Sequence, residues 1–188
     1  FLRNATQRDV AGAIHINLDQ LRVVPRAIAE RALTMWLRHI HADDYPPEHA
    51  ALSRLITALS SDEDMTTTLH GCVIHKTIAQ ITIMREYAAT TDAPTLCAGE
   101  TYLWDQRWLV TMDKTLAASA TIRPLGNPPH DQLDQLAPQL RKQIPQGRIR
   151  AGLPAVWHGT DLVQIPSFSG TSAHVRLASL WPPTVTIS

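Results

Sequence analysis

Nine histidines and two cysteines carry the widest chemistry in this 188-residue chain. His39 and His41 lie two apart, and His70 and His75 lie five apart. A zinc pair on one helix face wants four-residue spacing, as in HExxH, and neither pair has a third ligand at suitable spacing. No metal site is expected. His39, near the end of a helical stretch, suits a cation facing the last carbonyls. Cradling a nucleotide phosphate takes clustered glycines, as in GxxxxGK[ST] or GxGxxG. Neither motif is present, and the eight glycines include no adjacent pair. No nucleophile elbow of the GxSxG kind occurs. The chain is therefore expected to hold no cofactor and no catalytic residue of its own.

What remains is charge. Lysine plus arginine equal aspartate plus glutamate at 17 each, so no global field recruits a polyanion. The distribution is uneven. Residues 1–40 carry six arginines against three acids, and residues 41–70 carry six acids against Arg54 alone. Residues 121–150 carry five basic groups against Asp131 and Asp134. Arg141, Lys142, Arg148 and Arg150 flank a Pro-Gln-Gly turn, which keeps them out of a core and suits phosphate contact. Arg26, Arg31 and Arg38 form a second candidate set, with Arg31 and Arg38 seven apart on one helix face. Five tryptophans could stack on bases, but their hydrophobic spacing places them in the core.

These side chains need elements to hold them. Pro25 opens a helix over 26–40, with Ile28, Leu33, Trp36, Leu37 and Ile40 at helical spacing. A second helix spans about 47–59 with Leu52, Leu55, Ile56 and Leu59 on one side. Residues 66–76 and 78–86 are rich in β-branched residues. In the second run Ala79, Ile81 and Ile83 alternate with Gln80, Thr82 and Met84, as on a half-buried strand. Residues 101–112 predict a hairpin turning at Asp105-Gln106, and 118–124 a short strand. Gly126-Asn127-Pro128-Pro129 has the punctuation of a linker. Residues 131–144 are helical by composition, with Pro138 opening a second helix, and a closing hairpin turns at His158-Gly159-Thr160-Asp161. Residues 167–188 suggest an edge strand and a loose tail. The expected class is α+β: an N-terminal helical unit, then a small mixed α/β unit with short antiparallel strands. Seams near Asp62 and Gly126 give three parts, 1–62, 63–126 and 127–188.

Three segments together resemble one family. Val24-Pro25-Arg26-Ala27-Ile28-Ala29-Glu30-Arg31-Ala32-Leu33, continuing through Trp36-Leu37-Arg38 to Asp44-Tyr45-Pro46-Pro47, resembles the middle helical domain of bacterial tRNA(Ile)-lysidine synthases. Thr68-Leu69-His70-Gly71-Cys72 and Ile83-Met84-Arg85-Glu86 are similar to the strands that follow it. Leu153-Pro154-Ala155-Val156-Trp157, on to Pro166, is similar to the family's C-terminal segment. The resemblance runs over roughly residues 20–170, and residues 171–188 match nothing in it.

The resemblance implies an ATP-dependent ligase that attaches lysine to the wobble cytidine of an isoleucine tRNA through an adenylated intermediate. It places that chemistry on an N-terminal PP-loop domain with an SGGxDS-like loop, which this sequence lacks. The chain would then be the C-terminal, tRNA-recognising portion. A start at Phe1 rather than Met suits a fragment. ATP and lysine would be used by the parent enzyme only. The implied partners are tRNA and the N-terminal catalytic domain, with a homo-oligomer open. Two cysteines are too few for a disulfide scaffold, which suits a reducing, cytoplasmic setting. No stretch has transmembrane length. Zero net charge keeps one alternative open, a protein–protein interaction module without an RNA role.

Overall fold

A computed structural model describes residues 6–114, 119–136, 144, 147–168 and 175–180. Five α-helices and twelve strands are present among them, and every strand pairing is antiparallel. The architecture is mixed and rich in sheet. The chain divides into two compact units, with the change at Glu86/Tyr87.

Unit 1 begins with strands, not helices. β1 (Thr6–Arg8) and β2 (Ile14–Asn17) precede α1 (Leu18–Arg22), α2 (Arg26–His41) and α3 (His49–Leu59). β3 (Met65–Leu69), β4 (Cys72–Lys76) and β5 (Gln80–Arg85) follow, and the sheet order is β1-β2-β5-β4-β3. β2 pairs with β5, Ile14 opposite Ile83. This pairing binds the strands after residue 62 into the same unit as the helices. The break expected near Asp62 is therefore a turn inside unit 1, and Gly126 lies within unit 2.

Local chemistry sets the helix ends. Asn17 caps α1, its side chain accepting from the Gln20 N–H at 3.0 Å. Pro25 has no N–H to lose at the start of α2. Ala42 ends α2 in the left-handed region at φ 59° and donates its N–H to the Arg38 carbonyl at 2.8 Å. Leu33, Trp36, Leu37 and Ile40 of α2 and Leu52, Leu55 and Leu59 of α3 are buried against Ile14, Ile16, Cys72, Ile74, Ile81 and Ile83 of the sheet. Ile28, expected on that face, is 45% exposed because it sits on the first turn of α2. β5 also departs from the half-buried pattern: Ile81 through Arg85 are all buried. It is flanked on both sides, by β2 and β4, and both its faces are covered.

Two cations lie on the core side of this sheet. Lys76, wholly buried, donates from Nζ to the carbonyls of Ser61 at 2.7 Å and Glu63 at 2.5 Å. Arg85, 6% exposed, donates to the His41 carbonyl at 2.9 Å.

Unit 2 contains two sheets. One has the order β11-β10-β9-β6, from β6 (Thr95–Leu96), β9 (Ala120–Pro124), β10 (Pro154–His158) and β11 (Asp161–Gln164). The other has the order β12-β8-β7, from β7 (Thr101–Trp104), β8 (Trp108–Met112) and β12 (Val175–Ser179). The expected hairpin is present, and Asp105 and Gln106 both take positive φ, 49° and 53°. The closing hairpin turns at Gly159-Thr160, between β10 and β11. Leu96, Trp104, Trp108, Val110, Met112, Ile122, Val156 and Val175 fill one core. α4 (His130–Leu136) covers the first part of the helix expected over 131–144, and α5 (Gly147–Ala151) precedes β10. β12 lies at a sheet edge, as expected after residue 167. The tail from 181 lies outside the described residues.

Trp36 is 1% exposed, so Trp36→Ala should cost about 3–5 kcal/mol. Trp36→Phe should cost much less, because Nε1 has no hydrogen-bond partner among the described residues. Thermal unfolding of the two variants checks this. Equal melting temperatures for both and the parent would place the ring at the surface.

Candidate nucleic-acid interface

α2 and α5 carry the described members of the predicted patch, in different units. Arg26, Arg31 and Arg38 stand on α2 of unit 1, and Arg148 and Arg150 on α5 of unit 2. Arg141 and Lys142 lie outside the described residues.

The surroundings of these arginines differ. Arg26 Nε meets Glu30 at 3.0 Å, one turn on, and its Nη2 donates to Ser53 Oγ at 2.7 Å. Arg38 faces the Asp44 carboxylate at 3.4 Å. Arg31 and Arg148 are exposed, and no ion pair joins either to a described residue. Arg150 is half-buried, and its Nε has no hydrogen-bond partner among the described residues. Arg31 and Arg38 share one side of α2, while Arg26 turns toward α3. The structure thus places Arg31 and Arg148 as open guanidinium donors and ties Arg26 and Arg38 to exposed acids.

Arg123 adds a cation that charge counting did not single out. It lies over the Trp157 ring, 4.2 Å from its centroid, and reaches the Gly159 carbonyl at 3.4 Å. The contact pairs β9 with β10, Thr121 opposite Trp157. Only the strand register brings these two positions together. Trp36, Trp104, Trp108 and Trp157 are all buried, so none offers a face to a base.

Sequence spacing also missed one polar cluster. Ligand-capable atoms of His41, Asp43 and His70 lie within 4.8 Å of one another. The left-handed turn at Ala42 brings Asp43 back beside His41, with Oδ2 3.6 Å from Nε2. The β3–β4 turn carries His70 onto His41, ring centroids 4.5 Å apart. Each histidine belonged to a different spacing pair, so no linear motif marks the set.

The donor chemistry of this cluster opposes a metal. Arg85 donates to His41 Nδ1. A guanidinium has no acceptor, so Nδ1 presents its lone pair and Nε2 keeps the proton. A metal on Nε2 would need the reverse, with Nδ1 protonated and donating. Arg85 instead donates to His41, whose Nε2 lies 3.6 Å from the Asp43 carboxylate, within electrostatic range.

Burial holds His70 below the usual histidine range. The Tyr45 N–H, donating at 3.0 Å, holds Asp43 below the usual carboxylate range, and His41 adds to this. Folded His70 therefore binds its proton only at lower pH than the unfolded chain, whose reference value is 6.5. Between those values the unfolded state holds more protons, so stability falls as pH drops below 6.5. Asp43 stabilises above its unfolded value of 3.8 and loses that contribution at still lower pH, through its depressed folded value. His70→Gln should flatten the decline that begins below 6.5. Melting temperature against pH for both proteins checks it; parallel curves would show that His70 titrates as in the unfolded chain.

No protein-family model matches the chain. A tRNA(Ile)-lysidine synthase of Ruegeria pomeroyi is 30% identical over 167 residues, covering 87% of this chain and 36% of the relative. One of Anaplasma marginale is 33% identical over 112 residues, covering 58% of this chain and 24% of the relative. One from a Wolbachia of Brugia malayi is 31% identical over 116 residues, covering 61% and 27%. The chain matches one portion of a tRNA(Ile)-lysidine synthase. It spans about a quarter to a third of the length of these curated relatives. No helix among the described residues is long and apolar enough to cross a membrane.

Proposed function

We propose that this chain is the C-terminal, non-catalytic part of a tRNA(Ile)-lysidine synthase and that it recognises tRNA. The observation that carries this reading is the match of 167 residues, most of the chain, to about a third of one such enzyme. ATP, lysine and the adenylated intermediate then belong to the rest of the parent, on an N-terminal PP-loop domain. The missing phosphate loop supports that division, as does the lack of paired glycines. The setting is the cytoplasm, where tRNA is modified.

Local charge supports RNA contact despite zero net charge. Arg31 and Arg148 can reach phosphate without giving up an ion pair to a described residue. Arg26 and Arg38 would exchange exposed carboxylates for phosphate, and such surface pairs are worth only about 0–1 kcal/mol. Arg141, Lys142 and Arg150 complete the proposed set. With few open cations, the chain contributes register on the tRNA more than affinity.

Purified chain should bind tRNA with an affinity that falls linearly on a log scale as salt rises. Arg31→Ala and Arg148→Ala should each lower the salt slope by about 0.7–0.9 and weaken different tRNAs alike. Binding that ignores salt, or slopes unchanged in both variants, would remove the RNA role from these residues. The same preparation should show no ATP–AMP turnover; activity abolished by a substitution in this chain would place catalysis here.

A further inference from the structure

The edge of the unit 1 sheet at β3 lacks the usual protections. Sheet edges are normally blunted by short length, lysine, proline or a bulge. The opposite edge, β1, is three residues long. β3 is Met-Thr-Thr-Thr-Leu, without charge or proline, and pairs with β4 in unbroken register from Met65↔Lys76 to Leu69↔Cys72. No described strand pairs with its other side.

The β3–β4 turn determines which backbone groups face out. His70 and Gly71 form a two-residue loop, both at positive φ, 52° and 63°. Such a loop closes on a hydrogen-bonded pair, here Leu69 and Cys72. Alternation then turns the Leu69, Thr67 and Met65 backbone groups toward β4. The N–H and C=O groups of Thr66 and Thr68 point outward, and both residues are exposed.

α3 runs back from the turn at 60–64 along β3. Between them lies an open groove of about 330 Å³, walled by Ala51, Leu55, Ala58, Met65 and Leu69, with Arg54 on its rim. A strand added to β3 would drop alternate side chains into this groove.

We propose that the strand is β3 of a second copy of this chain, antiparallel about a two-fold axis at Thr67. That register exchanges hydrogen bonds between Thr66 of one copy and Thr68 of the other, the outward groups of both. Met65 then falls opposite Leu69 of its mate, on the groove side. Charge fixes the choice of occupant. The exposed acids Glu63 and Asp64 precede Met65, so antiparallel pairing carries them past the mate's Leu69, beside the groove that the mate's Arg54 lines. Arg54 is exposed and has no ion pair with a described residue. The same complementarity occurs twice, as a two-fold interface requires. The strand pair is short, so the dimer forms and dissociates with concentration. The proposal stands apart from the RNA reading.

Sedimentation velocity of the full chain across a concentration series tests it. The chain should shift from monomer to dimer. Thr68→Pro, which deletes one outward N–H but none facing β4, should raise the dissociation constant about tenfold or more. Arg54→Glu, an exposed change that spares the sheet, should weaken dimerisation, and Arg54→Glu with Glu63→Arg should restore it. A chain that stays monomeric throughout overturns the proposal. So does a dimer indifferent to both Thr68→Pro and Arg54→Glu, which would place the contact elsewhere.

Discussion

The C-terminal end of α2 and the turn that follows α3 are each held by a buried cation from the sheet beneath. Arg85 of β5 reaches the His41 carbonyl, and Lys76 of β4 reaches the carbonyls of Ser61 and Glu63. Helix C-termini leave carbonyls unpaired and carry partial negative charge, so a cation there is favourable. Burying a lysine or arginine without such partners would be prohibitive. The last carbonyl of α2 and the carbonyls of the turn after α3 thus satisfy the buried charges, and each segment is fixed to a particular strand. Other features follow from this attachment. The Arg85 clamp brings His41 beside the β3–β4 turn and so to His70. The Lys76 clamp fixes the turn at 60–64, from which both α3 and β3 depart.

Unit 2 solves the equivalent problem with neutral and paired groups. The Gln164 side chain accepts from the Val175 N–H and donates to its carbonyl, substituting for a ladder pair between β11 and β12. Arg107 pairs with Asp105 inside the β7–β8 turn, both nearly buried. Trp104 Nε1 donates to the Asp92 carbonyl at 3.0 Å. These buried groups are fully committed, and none is free to meet a ligand.

The hydrophobic pattern revealed much of the fold. Helical spacing located α2 and α3, turn residues located the β7–β8 and β10–β11 hairpins, and β-branched runs located β5 and the span of β3 and β4, but the turn at His70-Gly71 that divides that span was read as strand. Long-range pairing was not legible. β2 is a four-residue strand, Ile-His-Ile-Asn, too short to announce itself beside the longer runs. Yet its pairing with β5 decides where unit 1 ends. The alternation in β5 set Thr82 and Met84 on an outer face, yet both are buried because that face of the strand is covered as well. The candidate arginines were visible as charge, but their availability was not. Glu30 and Asp44 are local to Arg26 and Arg38, whereas Ser53 meets Arg26 only because α3 folds back onto α2.

The contrast between buried and exposed cations bears on function. Lys76, Arg85 and Arg107 spend their charge on structure and only Asp105 is buried among the described acids, so the remaining charge is slightly more acidic than the zero net charge suggests. Among the described residues, the open guanidinium groups of the predicted set are Arg31 and Arg148, each on a different helix. Contact with tRNA would depend on where those few groups sit and little on attraction at a distance. On the proposed reading, such a surface would add little to affinity but could disfavour a wrongly shaped partner, since a misplaced phosphate would meet exposed acids such as Glu63 and Asp64. If the proposed tRNA-recognising role holds, selection without strong attraction would suit it, because a tightly held tRNA would leave slowly.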